Sequence, residues 1–152
     1  MKNKLNLFIG IGVVAALLAI FLIIRGGAQS GTGGITIPKA GLTQTASFYK
    51  YKTGGMSMEV LALKASDGSI RTAFNTCQVC YSSGKGYYEL DGNTLVCQNC
   101  GNRFEPDRVG VEAGGCNPVP ITDDVRTDDG GNISISDDYL QQARVIFNNW
   151  KR

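Results

Sequence analysis

Two CxxC pairs, Cys77/Cys80 and Cys97/Cys100, stand 16 residues apart in a chain with no histidine, and a fifth cysteine, Cys116, follows in a GGCNP run. This pattern constrains the fold more than any other, because thiolates at this spacing are the template for a tetrahedral metal site that forces two loops to face each other. Cys77, Cys80, Cys97 and Cys100 are therefore the candidate metal ligands. A c-type haem is not expected, since Tyr81 and Gly101 stand where a haem-ligating histidine would follow each pair, and a Rieske centre also needs histidine. Four thiolates hold zinc, a single iron or an iron–sulfur cluster, and tetrahedral sulfur geometry does not separate these. A closed four-ligand site leaves Cys116 spare: it completes a cluster's ligand set, pairs in a disulfide, or is a buried thiol at a tight turn.

The N-terminus says where such a site is held. Leu5 to Ile24 carries no charge and is apolar apart from Asn6 and its glycines. Twenty helical residues reach roughly 30 Å, the thickness of bilayer hydrocarbon, so residues 1–25 read as one transmembrane anchor. Small residues at Gly26, Ala28 and Ser30 leave signal-peptide cleavage as the alternative. Lys2 and Lys4 on the short flank, against Arg25 alone before Lys39, predict a single-pass cell-membrane protein with its N-terminus in the cytoplasm and its cysteines outside. The formal net charge is +2, and Lys2, Lys4 and Arg25 contribute three positive charges, so the remainder sits near −1. A nucleic-acid partner is not expected from that balance.

Residues 26–37 have the composition of a flexible glycine-rich tether, and 38–152 form one cysteine-rich domain. Its fold class reads as α+β, mostly antiparallel β, a small metal-stapled body with a C-terminal helix. SFYKYK, a TGG turn, MSMEVLALK, SDG and SIRTAFN form a meander from Ala46 to Asn75 with Phe48, Val60, Leu61, Leu63, Ile70 and Phe74 as core candidates. The Asp67-Gly68 pair marks a hairpin turn that delivers the third strand to Cys77. Between the CxxC pairs, Tyr87–Leu90 and Thr94–Val96 form a second hairpin about Asp91-Gly92-Asn93. Gly101 lets the backbone amides of the second knuckle turn back toward sulfur.

At the C-terminus a strand at Asn132–Ile135 precedes a helix opened by Ser136, whose apolar face is Leu140, Ala143, Phe147 and Trp150. Lys151 and Arg152 suit the negative end of that helix. Thr122–Asn132 reads as a solvated acidic loop. Met56 and Met58 on one strand face are candidate copper ligands, with packing the plainer reading. Glu105, Asp107 and Glu112 are candidate oxygen ligands, with loop solvation the plainer reading.

The segments RTAFNTCQVCY, GKGYYELDGNTLVCQNCGNRF and GGCNPVPI, in that order, resemble the FtrD-like membrane iron–sulfur proteins over roughly Ser47 to Trp150. The resemblance implies an outward-facing iron–sulfur or iron protein that transfers electrons in iron transport, beside an iron permease and an exported iron-binding protein. It also implies that Cys77, Cys80, Cys97, Cys100 and Cys116 all belong to the cofactor site. Some relatives carry the domain behind many membrane spans, whereas one span is expected here. The chain supplies no general acid–base histidine and no activated nucleophile, so no stand-alone enzyme is expected. The alternative is a structural zinc-binding or disulfide-stabilised interaction module of a membrane permease complex. A thioredoxin-like enzyme lacks the βαβ surroundings its CxxC would need.

Overall fold

Odd and even residues of Met56–Lys64 go to opposite cores, and this division organises the molecule. Met58, Val60 and Ala62 enter one hydrophobic cluster and Leu61 and Leu63 another, as expected of a strand buried on both faces. The computed structural model describes residues 29–30, 33–112 and 114–152. Its elements are β1 (Gln29–Ser30), β2 (Ile35–Pro38), β3 (Ser47–Thr53), β4 (Met56–Lys64), β5 (Ile70–Cys77), β6 (Tyr88–Asp91), β7 (Thr94–Cys97), β8 (Arg103–Phe104), β9 (Pro118–Pro120), β10 (Thr127–Asp128), β11 (Asn132–Ile135) and α1 (Asp137–Gln142).

The central sheet runs β1-β3-β4-β5-β9, antiparallel except for the short β1–β3 pair. One face is covered by the β10-β11-β2 sheet and the C-terminal helical segment, which bury Ile35, Ile37, Ile133, Ile135, Leu140 and Phe147 against Tyr51, Met58, Val60 and Phe74. The other face carries the β6-β7-β8 sheet, which contributes Tyr88, Leu95, Cys97 and Phe104. Cys77 and Cys80 are members of this second cluster.

The predicted meander is observed. Gly54 and Gly55 form its first turn with φ of 53° and 78°, the two positive values of a twisted two-residue hairpin turn. The second turn is longer than a two-residue one: Ala65 and Ser69 close it, and Asp67 Oδ1 accepts the Ser69 amide at 2.9 Å. Of the core candidates, Val60, Leu61, Leu63 and Phe74 are buried, while Phe48 and Ile70 are half-buried against the clusters.

Several expectations change. Ile35–Ile37, expected to be the end of the tether, belong with Pro38 to a strand, because Ile35 and Ile37 alternate into the core and pair with Ile135 and Ile133. The acidic Thr122–Asn132 stretch is not loop throughout: Thr127 and Asp128 pair with Ser134 and Ile133. Ser136 caps α1 as expected by accepting the Tyr139 amide, but the α-helix ends at Gln142 and continues as a 3-10 turn over Ala143–Phe147. That tightening suits a packed end in which Phe147 is buried and Trp150 lies edge-on against it at 5.5 Å. Lys151 is not a helix cap. Its ammonium donates to the buried Glu59 carboxylate at 3.2 Å and lies over the Tyr87 and Trp150 rings. The predicted span Leu5–Ile24 lies outside the described residues, and among the described residues no helix is long and apolar enough to cross a membrane.

Candidate metal centre

Three segments bring five thiols to one corner of the molecule. The first CxxC is the continuation of β5, whose pairing with β9 shifts register between Phe74 and Cys77, and this irregularity lets the strand end in a knuckle. Cys77 N–H donates to the Gly86 carbonyl at 2.8 Å, and the Cys80 amide points at Cys77 Sγ at 3.4 Å. Gly86 is required by close approach, since a Cβ there would stand 2.1 Å from the Cys80 carbonyl oxygen.

The second knuckle repeats this plan at the end of β7. Cys97 N–H donates to the Asn102 carbonyl at 2.9 Å and Gly101 N–H to the Cys97 carbonyl at 2.8 Å, with Gly101 at φ 72°. Gly101 thus serves the reversal expected of it. The two knuckles are joined by the β6–β7 hairpin, in which Asp91 pairs with Thr94 around Gly92-Asn93.

Asn75 clamps the hairpin to β5. Its Oδ1 accepts the Tyr88 amide at 2.7 Å, and its Nδ2 donates to the Tyr88 carbonyl at 3.2 Å and to Glu59 at 2.6 Å. Trp150 Nε1 donates to the Asn75 carbonyl at 2.7 Å. Sequence reasoning missed Asn75, Tyr88, Gly86 and Glu59, because neither spacing nor residue type separates a fully bonded buried amide from a surface one. Glu59 did carry a signal, a carboxylate inside the apolar run MSMEVLALK.

Cys116 arrives from the loop before β9 and is held from both knuckles. Its carbonyl accepts from Tyr88 Oη at 2.8 Å and from Asn102 Nδ2 at 2.9 Å. Gln78, inside the first CxxC, accepts the Gly114 amide at 2.6 Å and donates its own amide to the Asn117 carbonyl. Cys116 Sγ lies 3.9 Å from Cys80 Sγ.

Cys77, Cys80 and Cys97 are buried, Cys116 is half-buried and Cys100 is exposed, and all five are free thiols. The sulfurs form two groups within 4.8 Å, one of Cys77, Cys80 and Cys116 and one of Cys80, Cys97 and Cys100. Ligands around a tetrahedral ion at about 2.3 Å stand roughly 3.8 Å apart, so this all-sulfur donor set fits a thiolate-bound metal. Burial raises the Cys77 thiol, but the Cys80 amide, the Tyr88 hydroxyl and the Val79 amide bring it below the ordinary cysteine value. Cys100 is likewise lowered, the Asn102 amide and the Cys97 thiol outweighing burial. Burial pushes Cys97 up to about 12, and Cys116 is pushed up to about 12 by its hydrogen bonding with Cys100 and by burial. Unequal thiols in one cluster are what mutual proximity produces.

The weaker candidates do not join this site. Met58 is buried in the first core and Met56 packs against it. Glu105 accepts from Thr94, Asp107 from Ser66 and Glu112 from Arg108. Among the described residues no carboxylate belongs to a metal-competent group.

Comparison with known proteins gives one match. The family model described as "Membrane iron-sulfur containing protein FtrD-like" covers residues 42–147, well over half of the chain. No curated protein and no solved structure matches.

Proposed function

This chain belongs to the FtrD-like family of membrane iron–sulfur containing proteins, and from that premise we propose that it is a membrane-anchored, extracytoplasmic electron-transfer protein of iron transport. The observation that carries the reading is the convergence of five free cysteines from three loops on one partly exposed corner. Cys77, Cys80, Cys97 and Cys100 are the proposed ligands of an iron or iron–sulfur centre, with Cys116 in the same site. Bound there, such a centre supplies one-electron exchange.

The chain's own part is to set the sulfur environment. Amides of Val79, Cys80, Asn99, Cys100 and Asn102 lie against the sulfurs of the two knuckles. Donors aimed at sulfur withdraw electron density and favour the electron-rich state of a thiolate site. Buried Cys77 and Cys97 keep water from one side, while exposed Cys100 offers a short path to a partner. The iron permease and the exported iron-binding protein are the proposed partners. No bond of a substrate is made or broken.

A structural zinc reading is favoured by one observation: Cys77, Cys80 and Cys97 are themselves members of the second core, so a metal there would also staple it. Metal and acid-labile sulfide analysis of the full chain purified without oxygen separates the two readings. Iron with sulfide is the expected result. Zinc alone, or iron uptake that survives Cys97→Ser unchanged, would overturn the electron-transfer role.

A further inference from the structure

We infer that the five cysteines bind two metal ions, with Cys80 shared between them. The inference rests on the metal-binding reading above and concerns what four-ligand spacing cannot show. A single tetrahedral ion on the two CxxC pairs needs Cys77, Cys80, Cys97 and Cys100 in one close group, each pair of sulfurs roughly 3.8 Å apart. The sulfurs fall instead into two groups within 4.8 Å, Cys77–Cys80–Cys116 and Cys80–Cys97–Cys100, which share Cys80, and the Cys116 and Cys100 thiols also meet across them. Each group offers one ion three thiolates and leaves a fourth position open, with the Cys80 sulfur as the bridge.

Cys116 is built into this arrangement. Its carbonyl takes hydrogen bonds from Tyr88 on the knuckle hairpin and Asn102 beyond the second knuckle, so two contacts fix the residue whose sulfur lies 3.9 Å from Cys80. Charge points the same way. The cysteine-bearing segments 74–84, 92–102 and 114–122 contain no Asp, Glu, Lys or Arg, so no side-chain cation within them offsets thiolate charge. One divalent ion on four thiolates, with Cys116 a neutral thiol, sums to −2, whereas two such ions on five thiolates sum to −1. In a partly buried corner the smaller residual charge is favoured.

The test is an anaerobic titration of the full-length, reduced, metal-free chain with Co²⁺, followed by sulfur-to-cobalt charge-transfer absorption and by cobalt content after desalting. Two equivalents per chain are expected. The paramagnetic resonance signal per cobalt should fall as the second ion enters, because two ions sharing a sulfur couple magnetically. Cys116→Ser should bind one equivalent, with the full signal per cobalt, and circular dichroism checks that its fold is kept. One equivalent in both proteins would overturn the shared-sulfur site while leaving metal binding standing. No tightly held cobalt in either would overturn both.

Discussion

The two faces of the central sheet are held in different ways. Against the first face pack four isoleucines, Leu140, Phe147 and a run of rings in which Tyr139, Phe74, Phe147 and Trp150 meet successively at 5.9, 5.7 and 5.5 Å. Against the second lies a three-stranded sheet of short strands whose core includes Cys77, Cys80 and Cys97. Aromatic and aliphatic burial stabilises the first face unaided. On the proposed metal-binding reading, the second face would also draw stability from what its thiols bind. The contrast teaches that the first face is closed by apolar packing alone, whereas the second also places its cysteines in the core.

The largest effect should come from the first core. Phe74→Ala removes the ring that touches both Tyr139 and Phe147 and should lower stability by about 3–5 kcal/mol in denaturant unfolding, metal-loaded or not. If the loss vanished in the metal-loaded protein, the two faces would not be separate in origin. Chelation should act in the opposite sense. Amides of β6–β8 should exchange rapidly with solvent deuterium while those of β3–β5 keep their protection. Uniform loss of protection would break the comparison outright.

Asn75 joins the regions, since its side chain bonds Glu59 on β4 and both backbone groups of Tyr88 on β6. Asn75→Ala should cost about 1–3 kcal/mol by stranding buried groups, and weaken metal binding by about 10- to 100-fold in a competition titration with a coloured chelator. Ser136→Ala removes the cap of α1, whose Leu140 packs in the first core. A loss of about 1 kcal/mol with unchanged metal affinity is expected, and a change in affinity would mean that the regions are coupled through the helix.

The smallest effect concerns pH. The Tyr51 hydroxyl donates to Asp137, and this bond, with one from Gln141, holds the Asp137 carboxyl below the usual carboxylate range. A lowered folded-state value contributes stability that is present above the unfolded carboxylate range and is lost as pH falls through the folded value. Asp137→Asn should therefore flatten the acid arm of the melting temperature against pH and leave the neutral-pH metal content alone. An unchanged acid arm would show that this bond carries no linkage.

How far the sequence was legible varies element by element. The β3–β5 meander and the β6–β7 hairpin were readable because alternation and glycine turns are local signals, and β11 ran from Asn132 to Ile135 as expected. β10 was not readable, since Thr127-Asp128 has no apolar residue and owes its pairing to β11. β2 was hidden by the glycines before it. Lys151 looked like a helix cap because its partner, Glu59, lies 92 residues away.

The sequence by itself determined the chemistry: five thiols, no imidazole, two knuckles joined by a hairpin, and uncharged segments around every cysteine. Residue type and short spacing suffice for these, because ligand softness and turn geometry are local properties. Only the tertiary structure decided that Cys116 meets Cys80, that the sulfurs divide into two groups about Cys80, and that Asn75 and Tyr88 hold the knuckles in place. Those relations join residues brought together by the burial of two separate cores on one sheet, and such long-range packing leaves no periodic mark along the chain.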